Sequence, residues 1–329
     1  MGKKVALVLG SGGARGYAHI GVIEELVARG YSIDCIAGCS MGAVVGGVYA
    51  AGKLAQYREW VESLDYFDVV RLLDVSFSLG AIRGEKIFGR IREMVGEIDI
   101  EALPIAFTAV ATDLTHHKEI WFQEGCLHQA MRALAAIPSL FTPVTLGNRV
   151  LVDGGVLNPL PIVPVVSSHC DLVVAVNLSG PDAHGAAAEI ELPPDSKGRL
   201  DQLVGSLSAH LGFWRRDSDA AALPGPLDPA DEDPASSREA TSEAAPKSAE
   251  GSRVVELAGP ASMLELVNQS FEVMQNSLTQ YKIAGYPPDV LVTIPRRACR
   301  FFEFNKAAEL IRLGQSLARE ALDRHEAGR

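Results

Sequence analysis

Short apolar runs alternate along this chain with stretches in which apolar residues recur every three or four positions. Residues 5–9 are uniformly apolar after two lysines, which is the pattern of a strand buried on both faces of a parallel sheet. Residues 17–30 place Ile20, Ile23 and Leu26 on one side and end at a glycine, which predicts a helix. A second apolar run follows, so the chain opens as a β-α-β unit.

The same criteria assign the rest of the chain. Helices are predicted at residues 53–64, 84–96, 127–136, 198–216, from 260 onward and at 305–324, and strands at 104–112, 118–122, 149–153, 171–177 and 289–294. In the two C-terminal helices the recurring apolar residues are expected to face the core: Val267, Phe271, Met274, Leu278 and Tyr281 in the first, and Leu310, Leu313 and Leu317 in the second. This order of elements predicts an α/β protein with a mostly parallel central sheet.

The most informative stretch is residues 34–52. An apolar run ends there in Gly38-Cys39-Ser40-Met41-Gly42 and continues without a charge into an Ala/Val/Gly segment. This pattern is typical of a nucleophile elbow, in which a serine occupies a sharp strand-to-helix turn. The glycines fit, because the chain passes so closely on either side of Ser40 that a Cβ would clash. The uncharged run is long enough to suggest a membrane span, but its glycines disfavour that interpretation.

The first strand ends in a glycine loop, Gly10-Ser11-Gly12-Gly13-Ala14-Arg15-Gly16. The loop lacks the Gly-Lys-Ser/Thr of a phosphate-binding loop. Its glycine spacing also departs from the dinucleotide-binding fingerprint, which stays an alternative. Backbone N–H donors at a helix N-terminus would suit the oxyanion that forms when an ester carbonyl is attacked. The loop and the elbow follow successive strands, so both are expected at the carboxyl edge of the sheet.

A third motif, Asp153-Gly154-Gly155, ends the strand predicted at 149–153. An isolated Asp-Gly is usually only a turn. At the end of a buried strand, however, Asp153 is expected to reach the same edge of the sheet as Ser40. His116, His117 and His128 have no partner at a ligand or triad spacing, so we expect them to be solvated or hydrogen-bonded.

Composition limits the class of protein. The chain has 329 residues, of which 47% are hydrophobic and 22% charged, enough for a sizeable core. The net charge of −11 is concentrated in residues 217–252, and no basic stripe suggests nucleic-acid binding. Five cysteines without CxxC spacing indicate neither a disulfide framework nor a structural zinc site. The N-terminus does not match a signal peptide or a myristoylation site, so we expect a cytoplasmic protein.

Composition also divides the chain into three parts. Residues 1–182 carry the motifs and are expected to form a catalytic core, which residues 260–329 complete with a helix, a strand and a helix. Residues 183–259 are expected to be an insertion, with an amphipathic helix at 198–216 and an acidic linker at 217–252 that its composition predicts to be disordered. The amphipathic helix ends in aromatic and cationic residues, so it either packs on the body or contacts a membrane surface.

The glycine loop, Gly38-Cys39-Ser40-Met41-Gly42 and Asp153-Gly154-Gly155, in this order and each at a strand end, resemble the patatin-like phospholipase family, in particular its small bacterial members. The likeness covers residues 3–180 and 289–324. It implies a three-layer α/β/α sandwich in which Ser40 is the nucleophile and Asp153 its proton acceptor. The implied oxyanion hole consists of N–H groups of the glycine loop: Gly12, Gly13 and Ala14. The remaining motif residues are Gly10, Ser11, Arg15, Gly16, Gly38, Met41, Gly42, Gly154 and Gly155. Ser11 departs from the family, which usually has glycine there.

The function implied by this resemblance is a serine acyl-ester hydrolase acting on lipids, whether phospholipase, lysophospholipase or esterase, through an acyl-enzyme and without metal or cofactor. A free aspartate is a weak base for a serine hydroxyl, so burial must raise the proton affinity of Asp153. The alternative is a regulatory or binding module on the same fold with little hydrolysis. The lipid head group, the acyl length and the oligomeric state stay open.

Overall fold

The computed structural model describes residues 2–72, 75–76, 81–82, 84–134, 136, 143–181 and 263–328. The insertion predicted at 183–259, including the helix at 198–216 and the linker at 217–252, lies outside the described residues. Within the described ranges, no helix combines the length and the apolar character needed to span a bilayer.

One mixed sheet organises the molecule. The strands are β1 (Lys4–Leu9), β2 (Ser32–Cys39), β3 (Val75–Ser76), β4 (Ala81–Ile82), β5 (Ala106–Asp113), β6 (Lys118–Phe122), β7 (Val144–Leu146), β8 (Arg149–Asp153), β9 (Leu172–Gly180) and β10 (Val290–Pro295). Eight of them form the sheet in the order β10-β9-β1-β2-β5-β8-β7, with β6 also paired to β5, and β3 and β4 form a separate hairpin. Strands β10, β9, β1, β2 and β5 are parallel to one another. The predicted mostly parallel sheet is therefore confirmed.

Helices cover both faces of this sheet. They are α1 (Ala18–Ala28), α2 (Met41–Ala50), α3 (Leu54–Glu62), α4 (Tyr66–Leu72), α5 (Glu85–Val95), α6 (Leu127–Leu134), α7 (Met263–Gly285) and α8 (Ala307–Ala327). Side chains of α1, α2 and α8 share the larger core on one face. The smaller core on the other face contains Leu160, Ile162 and Val165, with Ile283 of α7 packed against it. The arrangement is the three-layer sandwich that the resemblance implied.

Strand β8 does not run in the direction that was expected when Asp153 was predicted to lie at the same carboxyl edge of the sheet as Ser40. That expectation rested on a sheet in which Asp153 and Ser40 follow strands of the same direction, but β8 is antiparallel to β5. Strand β6 pairs with β5 from Ala109 to Asp113, so β2 and β8 share the opposite edge of β5. They meet end to end there, with Cys39 beside Val110 and Asp153 beside Ala111. Two converging strand ends, rather than one common carboxyl edge, bring Asp153 toward the elbow.

The prediction that the apolar stripe of α7 faces the core is wrong for part of the stripe. Val267, Met274 and Tyr281 are 43%, 56% and 76% exposed, while Gln275 and Thr279 of the same helix are buried. A helical period identifies a stripe but does not say whether that stripe faces inward. In α8, by contrast, the inward stripe is confirmed, because Leu310 is buried and Leu313 and Leu317 pack against the core.

Candidate active site

Ser40 lies on the sharp turn between β2 and α2. It is one of the described non-glycine residues with positive φ, at φ 54° and ψ −127°. The flanking glycines are required by space: a Cβ on Gly38 would lie 2.6 Å from the Ala43 Cα, and one on Gly42 would lie 2.1 Å from the Leu9 carbonyl oxygen. The strained serine and the crowded glycines are the features of a nucleophile elbow.

Asp153 approaches this turn from the end of β8. Its Oδ1 accepts hydrogen bonds from the Gly155 N–H at 2.7 Å and from the Cys39 thiol at 3.7 Å. Its Oδ2 is buried and makes no hydrogen bond of good geometry with the part of the chain that is described. Both Ser40 and Asp153 are almost completely buried, at 2% and 1% exposed. The oxygen left free to accept a proton is therefore Oδ2.

Burial changes the proton affinity of Asp153. The loss of hydration raises the pKa of Asp153 from 3.8 to about 6, and the nearby Ser40 hydroxyl and the hydrogen bonds from Gly155 and Cys39 oppose this rise. The Ser40 hydroxyl is thus close enough to act on the carboxylate, although it does not form a well-aligned bond with it. Such bonds often tighten only when substrate binds. The carboxylate is a stronger base than a solvated aspartate and is still ionised at neutral pH.

Three N–H groups of the glycine loop donate hydrogen bonds to distant backbone carbonyls. Those of Gly10 and Ser11 donate to the carbonyl oxygens of Val176 and Pro159. The Ala14 N–H donates to the Phe301 carbonyl at 3.0 Å. The expectation that Ala14 contributes to the oxyanion hole is therefore wrong for this structure, because its donor is already used. The N–H groups of Gly12 and Gly13 have no acceptor among the described residues and remain the candidate donors.

Arg15 and His19 hold the loop in this conformation. The buried Arg15 donates through Nε to the Gly12 carbonyl at 3.2 Å and through Nη2 to Glu272 of α7 at 2.8 Å. His19 contacts the Gly10 carbonyl through Nε2 at 2.9 Å, and burial lowers the pKa of His19 to about 4, so the ring is neutral. A peptide carbonyl and the following N–H point in opposite directions. Fixing the Gly12 carbonyl therefore also fixes the direction of the Gly13 N–H.

The other motif residues lie around this centre. Met41 follows Ser40 and contacts Gly16, where a Cβ would lie 2.2 Å from the Met41 Cγ. A Cβ on Gly154 would lie 2.0 Å from the Val110 carbonyl oxygen, and one on Gly155 would lie 2.1 Å from Gln275 Nε2. These glycines therefore allow β8 and α7 to approach the elbow closely.

An apolar pocket opens beside Ser40. Its described lining residues come from several elements: Gly13, Tyr17, Met41, Val44, Tyr57, Trp60, Leu64, Val69, Leu72, Ile87, Phe88, Ile91 and Phe304. The pocket has no charged lining residue among those described, so it suits a hydrocarbon chain rather than a nucleotide. Motif analysis missed this pocket because its residues are scattered over α2, α3, α4 and α5 and are ordinary core types.

Cys39 and the inner face of α7 also contact the site, although no sequence motif marks them. Cys39 stands at the variable position of the serine motif, where no particular chemistry is expected, yet its thiol contacts Asp153. Gln275 of α7 donates to the Ser11 hydroxyl at 3.3 Å. His116, in contrast, pairs with Asp113 at 2.8 Å. It does not belong to the Ser40 site.

The elbow at Ser40, the buried Asp153 and the glycine loop have the geometry typical of α/β proteins with a nucleophile elbow. Comparisons with known proteins identify the family. The profile of the family described as "Patatin-like phospholipase" matches residues 7–166. An uncharacterised NTE family protein of Mycobacterium tuberculosis is 43% identical over 334 residues, covering 98% of this chain and 92% of that protein. The chain belongs to the patatin-like phospholipase family.

More distant relatives share only part of their length with the chain. A protein of Debaryomyces hansenii described as "Lysophospholipase NTE1" is 30% identical over 189 residues, covering 55% of this chain and 12% of that protein. Among solved structures, VipD from Legionella pneumophila superposes with a TM-score of 0.42 and 14% identity, covering 98% of this chain and 67% of that one.

Proposed function

We propose that the chain is a serine acyl hydrolase that cleaves lipid esters through Ser40 and Asp153. The observation that carries this proposal is the buried Oδ2 of Asp153, which has raised proton affinity and no hydrogen-bond partner among the described residues, next to a serine on a strained elbow. A carboxylate in that state is costly to keep in a fold. Its use as a proton acceptor for Ser40 explains why it is there.

In the first half of the reaction the Ser40 Oγ attacks the ester carbonyl carbon while its proton passes to Asp153 Oδ2. The N–H groups of Gly12 and Gly13 stabilise the oxyanion of the tetrahedral intermediate. Asp153 then gives the proton to the leaving alcohol oxygen as the C–O bond breaks. The product of this half is an acyl-enzyme on Ser40 and a free alcohol.

Water completes the cycle by the same route. It attacks the acyl carbonyl as Asp153 accepts one of its protons, and the proton returns to the Ser40 Oγ when the acyl–serine bond breaks. The released product is a fatty acid. The neutral His19 and the paired Arg15 take no proton in this scheme and act only by holding the loop.

The substrate class proposed is a lipid with a single acyl chain, such as a lysophospholipid. Two observations support it: the uncharged pocket beside Ser40, which suits hydrocarbon, and the lysophospholipase activity named for the yeast relative. The competing function is a regulatory or binding module with little hydrolysis.

We further propose that substrate is taken from a lipid surface. The outward side of α7 carries exposed apolar residues, which we call the outer stripe of α7: Leu266, Val267, Val273, Met274 and Tyr281. The inner side of the same helix contacts the site, through Glu272 to Arg15 and Gln275 to Ser11. An apolar helix face directly above the catalytic loop suits a contact with lipid.

The test is hydrolysis of a lysophospholipid and of short acyl esters by purified protein. Ser40→Ala and Asp153→Ala are each expected to lower turnover about 10⁴-fold while the fold persists by circular dichroism. His116→Ala is the matched control and should retain activity, since His116 lies with Asp113. Retention of most activity by either the Ser40 or the Asp153 variant contradicts the assignment. Absence of hydrolysis in the unmodified chain favours the regulatory function.

A further inference from the structure

Three side chains outside the Ser40 site converge on one point. Cys126 Sγ lies 2.9 Å from His128 Nδ1 and 4.0 Å from Glu97 Oε2, and His128 Nδ1 lies 3.8 Å from the same Glu97 oxygen. Within the described ranges this is the group of His, Cys and carboxylate side chains whose ligand atoms all lie within 4.8 Å of one another. A thiol, an imidazole and a carboxylate are the donor types that zinc sites use.

The backbone holds these residues in place without help from a ligand. Cys126 directly precedes α6, and it forms an isolated antiparallel bridge with Asp99. The Leu127 N–H donates to the Ile98 carbonyl at 3.0 Å, and the Ile100 N–H donates to the Gly125 carbonyl at 2.9 Å. The segment after α5 and the start of α6 are therefore fixed relative to each other, and only side-chain rotation is needed to adjust the three groups.

The two oxygens of the Glu97 carboxylate have different partners. Arg92 donates to Oε1 through Nε at 2.6 Å and also through Nη2, which leaves Oε2 directed at Cys126 and His128. A carboxylate with one oxygen held by a neighbour and the other free is a common arrangement in metal sites, where such outer contacts orient the ligand. Arg92 thus acts as a positioning residue for Glu97 rather than as a competitor for Oε2.

We propose that Glu97, Cys126 and His128 bind a Zn²⁺ ion, or a divalent transition metal of similar preference, with water as the fourth ligand. Ligand atoms about 2.0–2.3 Å from a tetrahedral zinc are separated from one another by about 3.3–3.6 Å. The separations of 2.9, 3.8 and 4.0 Å therefore lie within about 0.7 Å of that geometry. Binding replaces the thiol proton by the metal, and this proton is released to solvent.

The ion would connect the segment after α5 to the first turn of α6. That helix supports the helix that follows Ser40: a Cβ on Gly47 of α2 would lie 2.8 Å from Met131 Cε and 3.2 Å from Leu127 Cδ1. The ion is therefore expected to stabilise the packing of α6 against α2. Because the metal site shares no residue with Ser40 and Asp153, it does not depend on the function proposed above.

The experiment is a titration of the full chain, without an affinity tag, with Co²⁺ and with Zn²⁺. A Co²⁺–thiolate site gives a charge-transfer band in the near ultraviolet, and Zn²⁺ should displace Co²⁺ at one equivalent per chain. Cys126→Ser should abolish the band, and His128→Asn and Glu97→Gln should weaken binding about tenfold or more. Cys170→Ser and His117→Ala are matched controls that should leave the band unchanged. Zn²⁺ should also raise the Tm of the unmodified chain and not that of Cys126→Ser.

The possible results distinguish the metal site from the proposed hydrolase function. A band that is absent, that persists in Cys126→Ser, or that is lost equally in the control variants overturns the site. Reactivity of Ser40 toward an ester probe is expected to survive removal of Zn²⁺ by a chelator. Failure of the metal site and failure of the proposed hydrolase function would therefore be recognised independently.

Discussion

At the level of single residues, the proposed activity depends on the pKa of the Asp153 carboxyl group. The pKa of Asp153 is raised to about 6, because burial outweighs the opposing effects of the nearby Ser40 hydroxyl and of the hydrogen bonds from Gly155 and Cys39. A base must be ionised to act. The rate of ester hydrolysis is therefore expected to rise with pH through about 6 and to level off above it, as measured by kcat/KM over pH 4–9.

The same shift predicts a stability effect of Asp153→Asn. A carboxyl group whose pKa is higher in the folded state than in the unfolded state stabilises the native state fully at pH values below its unfolded pKa. This stabilisation is lost as the pH rises through the folded pKa. A shift from 3.8 to about 6 corresponds to about 3 kcal/mol. At pH 8 the asparagine variant should therefore have a free energy of unfolding up to about 3 kcal/mol higher than the unmodified chain. By pH 3.5 the difference should vanish. Urea unfolding at both pH values measures this difference. An asparagine variant that is less stable than the unmodified chain at pH 8 would contradict the prediction that the buried, ionised carboxylate destabilises the fold.

Cys39 provides a second test at this scale. Its thiol donates to Asp153 Oδ1 and lowers the pKa of the carboxyl group. Cys39→Ala should therefore move the acid limb of the pH–rate profile to higher pH, while Cys39→Ser, which keeps a donor, should not. A purely structural role would lower turnover at every pH without moving the limb, and that result would exclude Cys39 as a positioning residue.

At the scale of elements, the elbow depends on close approach of α2 and β1. A Cβ on Gly42 would lie 2.1 Å from the Leu9 carbonyl oxygen, and backbone atoms must move to accommodate it. Gly42→Ala is expected to lower the free energy of unfolding by about 1–3 kcal/mol and to lower turnover. Gly89→Ala in α5 is the matched control, since no atom lies within 4 Å of its added Cβ. It should raise the free energy of unfolding by about 0.5–1 kcal/mol. Equal effects of the two substitutions on the free energy of unfolding, measured by chemical denaturation, would contradict the close approach of α2 to β1.

The outer stripe of α7 is testable by binding to vesicles of phosphatidylcholine and phosphatidylglycerol. The double variant Met274→Ser, Tyr281→Ser removes two exposed apolar side chains and should weaken sedimentation with vesicles about tenfold. Val166→Ser is the control, because Val166 is similarly exposed at 50% but lies outside α7. Unchanged vesicle binding together with a lower Tm of the double variant would mean that protein, not lipid, covers the stripe.

Elements could be predicted from the sequence where the cause is local. The elbow is local, since glycines two residues either side of Ser40 determine it, and periodicity predicted most of the strands and helices. It did not predict α4, β3, β4 or β7. The assignment of Ala14 to the oxyanion hole failed, because its N–H donates to the carbonyl of Phe301, which is distant in the chain. The direction of β8 and the orientation of the α7 stripe also depend on tertiary partners, which periodicity does not encode.

At the scale of the whole molecule, two strand ends that converge on β5 bring together Ser40 and Asp153, the proposed nucleophile and base. The helix α7, which follows the predicted insertion in sequence, contacts the glycine loop through Arg15 and Ser11. The proposed active site thus draws on residues from both ends of the chain.

We propose that Ser40, activated by Asp153, forms a covalent acyl-enzyme, and a fluorophosphonate probe tests this by reacting with an activated serine. The pure chain is treated with the probe and examined by intact-mass and peptide mass spectrometry. We expect one added probe on Ser40, no addition in Ser40→Ala, and labelling of Asp153→Asn slowed about 10³-fold or more. Absence of labelling in the folded chain, labelling at another residue, or unchanged labelling of Asp153→Asn would contradict it.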